Sequence, residues 1–255
     1  MLLAWENLSD DAAVSTDSEI ATLPASNVQQ PHVAQKWHTA RGVKSAYLIF
    51  DMSALVTCDT LAVLGTNLTS AATVQVRASD SDPTVTSSLD YDSGVVSAAI
   101  DDVYGAIYLV LTSTNARYWR IDFADATVDD NLQIGRVFLG PSWTPTIDMQ
   151  LGCAVMPDDP SIVSQSYGGQ DWIDQRPQQR VMQFELDFMP EAEMTENAFE
   201  MMRAAGIADD VLAMKYTSGS YISQNAVWGR MQSAAPLVND KVALFRQRFT
   251  IKERL

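Results

Sequence analysis

Residues 116–123, ARYWRIDF, and 132–140, LQIGRVFLG, flank an acidic loop, and together they decide how this chain folds. Trp119, Ile121 and Phe123 fall on one face of the first run, with Arg120 and Asp122 on the other. That two-residue period is the signature of a strand buried on one side only. Val137 and Leu139 repeat it in the second run, and the loop 124–131 between them holds Asp125, Asp129 and Asp130.

Working outward, similar short runs recur at 47–52 (YLIFDM), 61–64, 73–78 (TVQVRA) and 106–112 (AIYLVLT), separated by Asp, Ser, Thr, Gly and Asn clusters. Regular spacing of this kind predicts an all-β sandwich. The segment GPSWTP at 140–145 carries two prolines and a glycine, which predicts a boundary between domains 1–143 and 144–255. In the second part Met182, Phe184, Leu186 and Phe188 alternate with Gln183, Glu185 and Asp187, another one-sided strand. A helix is predicted over 191–205, with Met194, Ala198, Met201, Met202 and Ala205 along one side and Gly206 to end it. Strands follow near 211–216, 226–231 and 243–252. The fold class is therefore mainly β: two β-sandwich domains, the second with one α-helix.

Composition excludes several functions. The 255 residues are 47% hydrophobic and 19% charged, which fits a packed chain. Seventeen Lys and Arg against 32 Asp and Glu give −15, a balance that disfavours nucleic acid or an anionic membrane as main partner. Residues 1–145 hold 7 basic and 17 acidic side chains, so the acidity is concentrated there. Cys58 and Cys153 sit in apolar settings and read as two buried free thiols, the alternative being a disulfide between the two halves. The start MLLAWENLSDD lacks the basic region of a secretion signal, and no window reaches the roughly 20 apolar residues of a membrane span. Synthesis and assembly in a cytoplasm are the expectation.

No catalytic motif is present. His32 and His38 are the whole histidine supply, lack helical ligand spacing and read as loop residues. There is no nucleophile elbow, zinc-protease motif, Walker loop or dinucleotide fingerprint. The aspartate pairs at 10–11, 101–102, 129–130, 158–159 and 209–210 read as solvated loop residues, because adjacent side chains point apart. A structural calcium on such loops is conceivable chemistry, yet the EF-hand spacing is missing. No cofactor, metal ligand or catalytic residue is assigned. Trp5, Trp37, Trp143 and Trp172 stand in loop or boundary contexts and are candidates for stacking on sugar rings, against interface packing as the commoner use. Arg246, Arg248, Lys252 and Arg254 gather four of the 17 basic residues within nine positions of one another, along and just beyond the last strand. They are the candidate assembly surface.

The order of these pieces resembles a tail-tip protein of long-tailed, siphovirus-like bacteriophages or related gene-transfer particles. In the first part the resemblance rests on LPASNVQQPHVAQKWHT (23–39), YLIFDM, LAVLGTNLTSAATVQVRASD (61–80), DYDSG (90–94) and the 116–141 region, and is to a discoidin-like, galactose-binding-like jelly roll. In the second it rests on SQSYGGQ (164–170), RPQQR (176–180), the helix and RFTIKERL (248–255), and is to the ring-forming β-sandwich of distal tail proteins. Better-known members carry these two domains in the opposite order. The resemblance implies a non-enzymatic virion protein of the distal tail or baseplate, assembled in the bacterial host cytoplasm. Its implied partners are other copies in a ring, the tail tube and the tip hub proteins, with neither sequence-specific nucleic acid nor membrane insertion. The competing expectation is a carbohydrate-binding module contacting a host surface glycan.

Overall fold

A computed structural model describes the chain apart from residues 99, 101–104, 151, 220, 234–235, 242 and 255. The first strands are β1 (Leu2–Ala4), β2 (Ala13–Thr16), β3 (Trp37–His38), β4 (Ser45–Leu64) and β5 (Thr73–Ser79). Then come β6 (Tyr91–Asp92), β7 (Val96–Ser97), β8 (Ile107–Ala124), β9 (Gln133–Ile134) and β10 (Arg136–Gly140). The later strands are β11 (Ala154–Asp158), β12 (Ile162–Gln165), β13 (Asp171–Asp174) and β14 (Gln179–Pro190). Past the helix lie β15 (Asp210–Met214), β16 (Ala226–Met231), β17 (Val238–Lys241) and β18 (Leu244–Glu253). The protein is mainly β with one helix.

By contacts the chain divides into two compact units: Leu2–Trp143 together with Met214–Ala226, and Thr144–Ala213 together with Val227–Arg254. The division is thus not a single cut, because 214–226 groups with the earlier residues.

In the first unit the antiparallel sheet runs β10-β4-β8-β5-β6, with β2 also on β4 and β7 on β5. The runs at 47–52 and 61–64, read from sequence as separate strands, are the two ends of β4, and 106–112 and 117–123 likewise fuse into β8. Register shifts between Asp51 and Val56 and between Cys58 and Thr60 interrupt this long ribbon, and Ser53 sits at φ 63° inside the first. Both ends face one core. Leu48, Phe50, Trp119, Ile121, Phe123, Val74 and Val76 from one end pack in the same cluster as Leu61, Val63, Ile107, Val137 and Leu139 from the other. The ribbon therefore folds over itself and supplies both layers of a sandwich, as bulges allow a strand to bend between sheets.

In the second unit the sheet contains β15-β16-β18-β14-β11 in that order, with β17 also on β18. Met182, Phe184 and Leu186 are buried, as the alternation predicts, and Phe184 stacks on its cross-strand partner Phe249 at 5.2 Å. The alternation then breaks. Phe188 adopts φ 59° at a register shift, so Met189 takes the buried position expected of Phe188. Residues 191–205 are helical throughout, α over Glu191–Glu193 and Glu200–Ala205 and π over Met194–Phe199. Ala198, Met201 and Ala205 are buried, and Gly206 ends the helix at φ 53°. Gly229 is required where β16 meets β18: a Cβ there would lie 1.9 Å from the Lys252 carbonyl oxygen.

Candidate functional site

Local hydrogen bonding projects one segment of the second unit from the rest. Asp159 accepts from the Ser161 amide at 2.9 Å and from Gln178 at 3.1 Å, and the Arg176 amide donates to Ser161 at 2.9 Å, pinning the two feet of a hairpin together. Hydrogen bonds from the Ser161 side chain, the Ser161 amide and Gln178 hold the Asp159 carboxyl below its ordinary range. Above the feet, β12 and β13 pair only with each other, in the register Ile162–Asp174, Val163–Ile173, Ser164–Trp172 and Gln165–Asp171. The tip at 166–170 closes through Ser166, whose carbonyl accepts from Gly169 and whose hydroxyl accepts from the Gln170 amide.

Alternation places Ile162 and Trp172 on one face of this arm and Val163 and Ile173 on the other. All four are exposed: 51%, 67%, 63% and 67% respectively, and Tyr167 at the tip is fully so. A two-stranded hairpin is marginal in water by itself, and apolar side chains on both faces are costly to leave wet.

The adjoining face of the same unit carries the charges singled out from sequence. Along β18, Gln247, Phe249, Ile251 and Glu253 are buried, whereas Arg246, Arg248, Thr250 and Lys252 alternate outward. Three of the four candidate cations are already partnered within the chain. Arg246 lies 3.3 Å from Glu185, Lys252 2.5 Å from Asp158 and Arg254 3.0 Å from Asp210. For these three, nearby strands of the same chain provide the carboxylates. Arg248 is exposed and has no ion-pair partner among the described residues. Two shallow depressions of about 180 and 330 Å³ meet at it, the first lined by Gln150, Gly152, Gln183 and Glu185, the second by Glu185, Pro236, Val238 and Arg246. Beneath the sheet the buried Arg180 grips Glu253, its amide donating at 2.8 Å and its Nε at 3.0 Å, a pair that sequence reading missed because 73 residues separate the partners.

The candidate sugar-stacking tryptophans separate. Trp37 is wholly buried and donates from Nε1 to the Ser18 carbonyl at 3.1 Å, so it presents no ring to a ligand. Trp143 is 7% exposed and meets half-buried Trp5 edge-on at 6.5 Å. Both are packing residues, and only Trp172, on the arm, is freely exposed. Sequence reading passed over two further aromatic rings, Tyr216 (47% exposed) and Tyr221 (66%), in the short segment that belongs to the first unit.

The remaining titratable groups are mostly structural. His38 is half-buried beside Asn131, burial and then Lys36 pulling its pKa down, while His32 is exposed. Cys58 is a buried thiol whose pKa burial pushes up to about 12, and Cys153 is half-buried. Of the aspartate pairs, Asp10, Asp130, Asp158 and Asp210 are each engaged by a basic side chain, and 101–102 lie outside the described residues. Among the described residues no three His, Cys, Asp or Glu side chains converge as a metal site.

No protein-family model matches the chain, nor does any curated protein. Similar solved structures cover about half of it. Chitosan-binding module 1 of a chitosanase/glucanase from Paenibacillus sp. IK-5 is 16% identical with a TM-score of 0.44, covering 53% of this chain and 99% of its own. A carbohydrate-binding module from Clostridium perfringens, in complex with GalNAc-β-1,3-galactose, is 12% identical with a TM-score of 0.44, covering 53% and 100%. The lectin-binding domain of Lectinolysin, complexed with Lewis b, is 14% identical with a TM-score of 0.42, covering 54% and 96%. These likenesses are to carbohydrate-binding modules, and none of the three points to a phage tail protein.

Proposed function

We propose that this chain is a non-catalytic assembly subunit that associates with further copies of itself, the part played by a distal tail or tail-tip protein in a phage particle. The observation that carries this is the arm 159–178, whose Ile162, Val163, Trp172 and Ile173 are each more than half exposed on the two faces of an isolated hairpin. Aromatic and aliphatic anchors of this size are the residues that dominate protein–protein association. The test is the mass of the purified full chain by light scattering and native mass spectrometry. The parent should form discrete species larger than 28.0 kDa. The double variant Trp172→Ser, Ile173→Ser should run as a folded monomer, and a parent that stays monomeric at every concentration overturns the assembly role.

A second reading, glycan recognition by the first unit, is favoured by the exposed rings of Tyr216 and Tyr221, flat amphipathic surfaces of the kind sugars stack on. It predicts retardation of the chain in gels containing a chitosan, lost on Tyr221→Ala. Chitotriose, Lewis b and GalNAc-β-1,3-galactose are the soluble competitors to try. Unchanged mobility with all of them removes this reading.

A further inference from the structure

Resting on the assembly reading, we infer that two copies join through the outer edge of β12, aligned antiparallel about a two-fold axis at Ser164. The backbone shows which groups are free to do so. At the tip the Ser166 amide donates to the Gln170 carbonyl at 2.8 Å and the Ser166 carbonyl accepts from Gly169 at 2.9 Å, so Ser166 and Gln170 form a hydrogen-bonded pair. Such pairs alternate with non-bonded ones along an antiparallel ladder. In the register of the arm Ser164–Trp172 and Ile162–Asp174 are therefore the bonded pairs, and Val163 and Gln165 turn their N–H and C=O groups away from β13. No other strand among the described residues pairs with β12, and all of its residues are exposed. The outward groups form an open edge, a template to which another strand can add.

Neighbouring edges are closed to this. On β11, Pro157 stands opposite Arg180, whose amide turns the other way, to Glu253 at 2.8 Å. The proline nitrogen thus faces outward and offers no donor, which blunts that edge. The outer edge of β13 is open, but the strand carries Asp171 and Asp174, and pairing two such edges brings carboxylates together in a chain of net charge −15. β12 reads Ile-Val-Ser-Gln, with neither charge nor proline.

Spacing makes a second β12 the matching partner. The two free-edge residues lie two apart, so Val163 of one copy can pair with Gln165 of the other, and Gln165 with Val163. Each such pair exchanges two hydrogen bonds, which satisfies every group that β12 leaves outward. Ser164 then meets its own counterpart on the axis, at a non-bonded position where Cα atoms approach to about 4.5 Å. A small uncharged side chain suits that approach. Alternation aligns the two Trp172 rings with the Ser164 pair on one face and gathers Val163 and Ile173 of both copies on the other. The contact is isologous, the same patch on each copy, and it replaces two marginal hairpins by one ribbon of four strands.

Proline substitution separates the two edges of the arm. Gln165 and Asp171 face each other in a non-bonded pair, so proline at either position removes an outward N–H and spares the bonds within the arm. Gln165→Pro should weaken self-association of the full chain by about tenfold or more, because each copy loses a donor, whereas Asp171→Pro should change it by less than about twofold. Circular dichroism verifies that both variants fold. As an independent readout, Ser164→Cys combined with Cys153→Ser should form an interchain disulfide on mild oxidation, whereas Thr217→Cys in the same background, also exposed, should not. If the parent associates but Gln165→Pro is without effect, or Asp171→Pro is as harmful, or Ser164→Cys fails to cross-link, this pairing is overturned while the assembly role stands. A monomeric parent overturns both.

Discussion

Asp125 shows how much one loop carboxylate fixes. It is 1% exposed and accepts from the Thr69 amide at 2.7 Å, the Thr127 amide at 2.9 Å and the Thr127 hydroxyl at 2.6 Å. Burial alone raises its pKa, but the hydrogen bonds from Thr127 and Thr69 together outweigh burial and hold it below the ordinary carboxylate range. Because the native value is depressed, its contribution to stability is fully present above the unfolded pKa of about 3.9 and is lost as pH falls through the lower native value. Asp125→Asn should therefore lower the urea midpoint at pH 7 and show a smaller further loss than the parent between pH 5 and pH 2. Equal acid sensitivity in parent and variant would contradict the assignment. From sequence this aspartate was one of three in an acidic loop, with nothing to mark it out, because its partner Thr69 is 56 residues away.

At the scale of elements, the two long strands mark the limit of local pattern. Ser53–Asp59 lies between two runs read from sequence as separate strands, yet it belongs to β4, because a strand that bends keeps pairing while its side chains leave strict alternation. The boundary segment 140–145 likewise reads as a loose linker, but the amide and carbonyl of Trp143 are bonded to Leu3 at 2.7 and 2.9 Å. The arm has only its feet tied. Brief chymotrypsin treatment of the full chain should consequently cut first after Tyr167 or Trp172 and spare Trp143, as mapped by mass spectrometry; a first cut within β4 would show that the arm is the better-protected element. Association should slow the arm cuts in proportion to the assembled fraction.

For the whole molecule, charge and apolar docking pull in opposite directions. Two copies at −15 each repel over a distance set by the Debye length, about 30 Å at 0.01 M salt and 8 Å at 0.15 M. Burial of the arm's apolar residues does not depend on screening. Self-association should accordingly strengthen as salt rises over this range, read by sedimentation or light scattering. Weakening would show that ion pairs, rather than the arm's apolar residues, hold copies together.

What the sequence by itself determined is periodic and local: the faces of 117–123, 137–139, 182–186 and 245–252, the helix over 191–205 with its glycine stop, and the absence of any motif for catalysis. Side-chain alternation and helical spacing are written in adjacent residues, so they are legible without partners. Tertiary structure alone decided which exposed groups remain available. It buried Trp37 and Trp143, paired Arg246, Lys252 and Arg254 with acids far along the chain, and left Arg248 without a partner among the described residues. It also left the arm's Trp172 uncovered. Burial and ion pairing depend on which distant strands become neighbours, and that is a property of the closed sheets rather than of any short stretch.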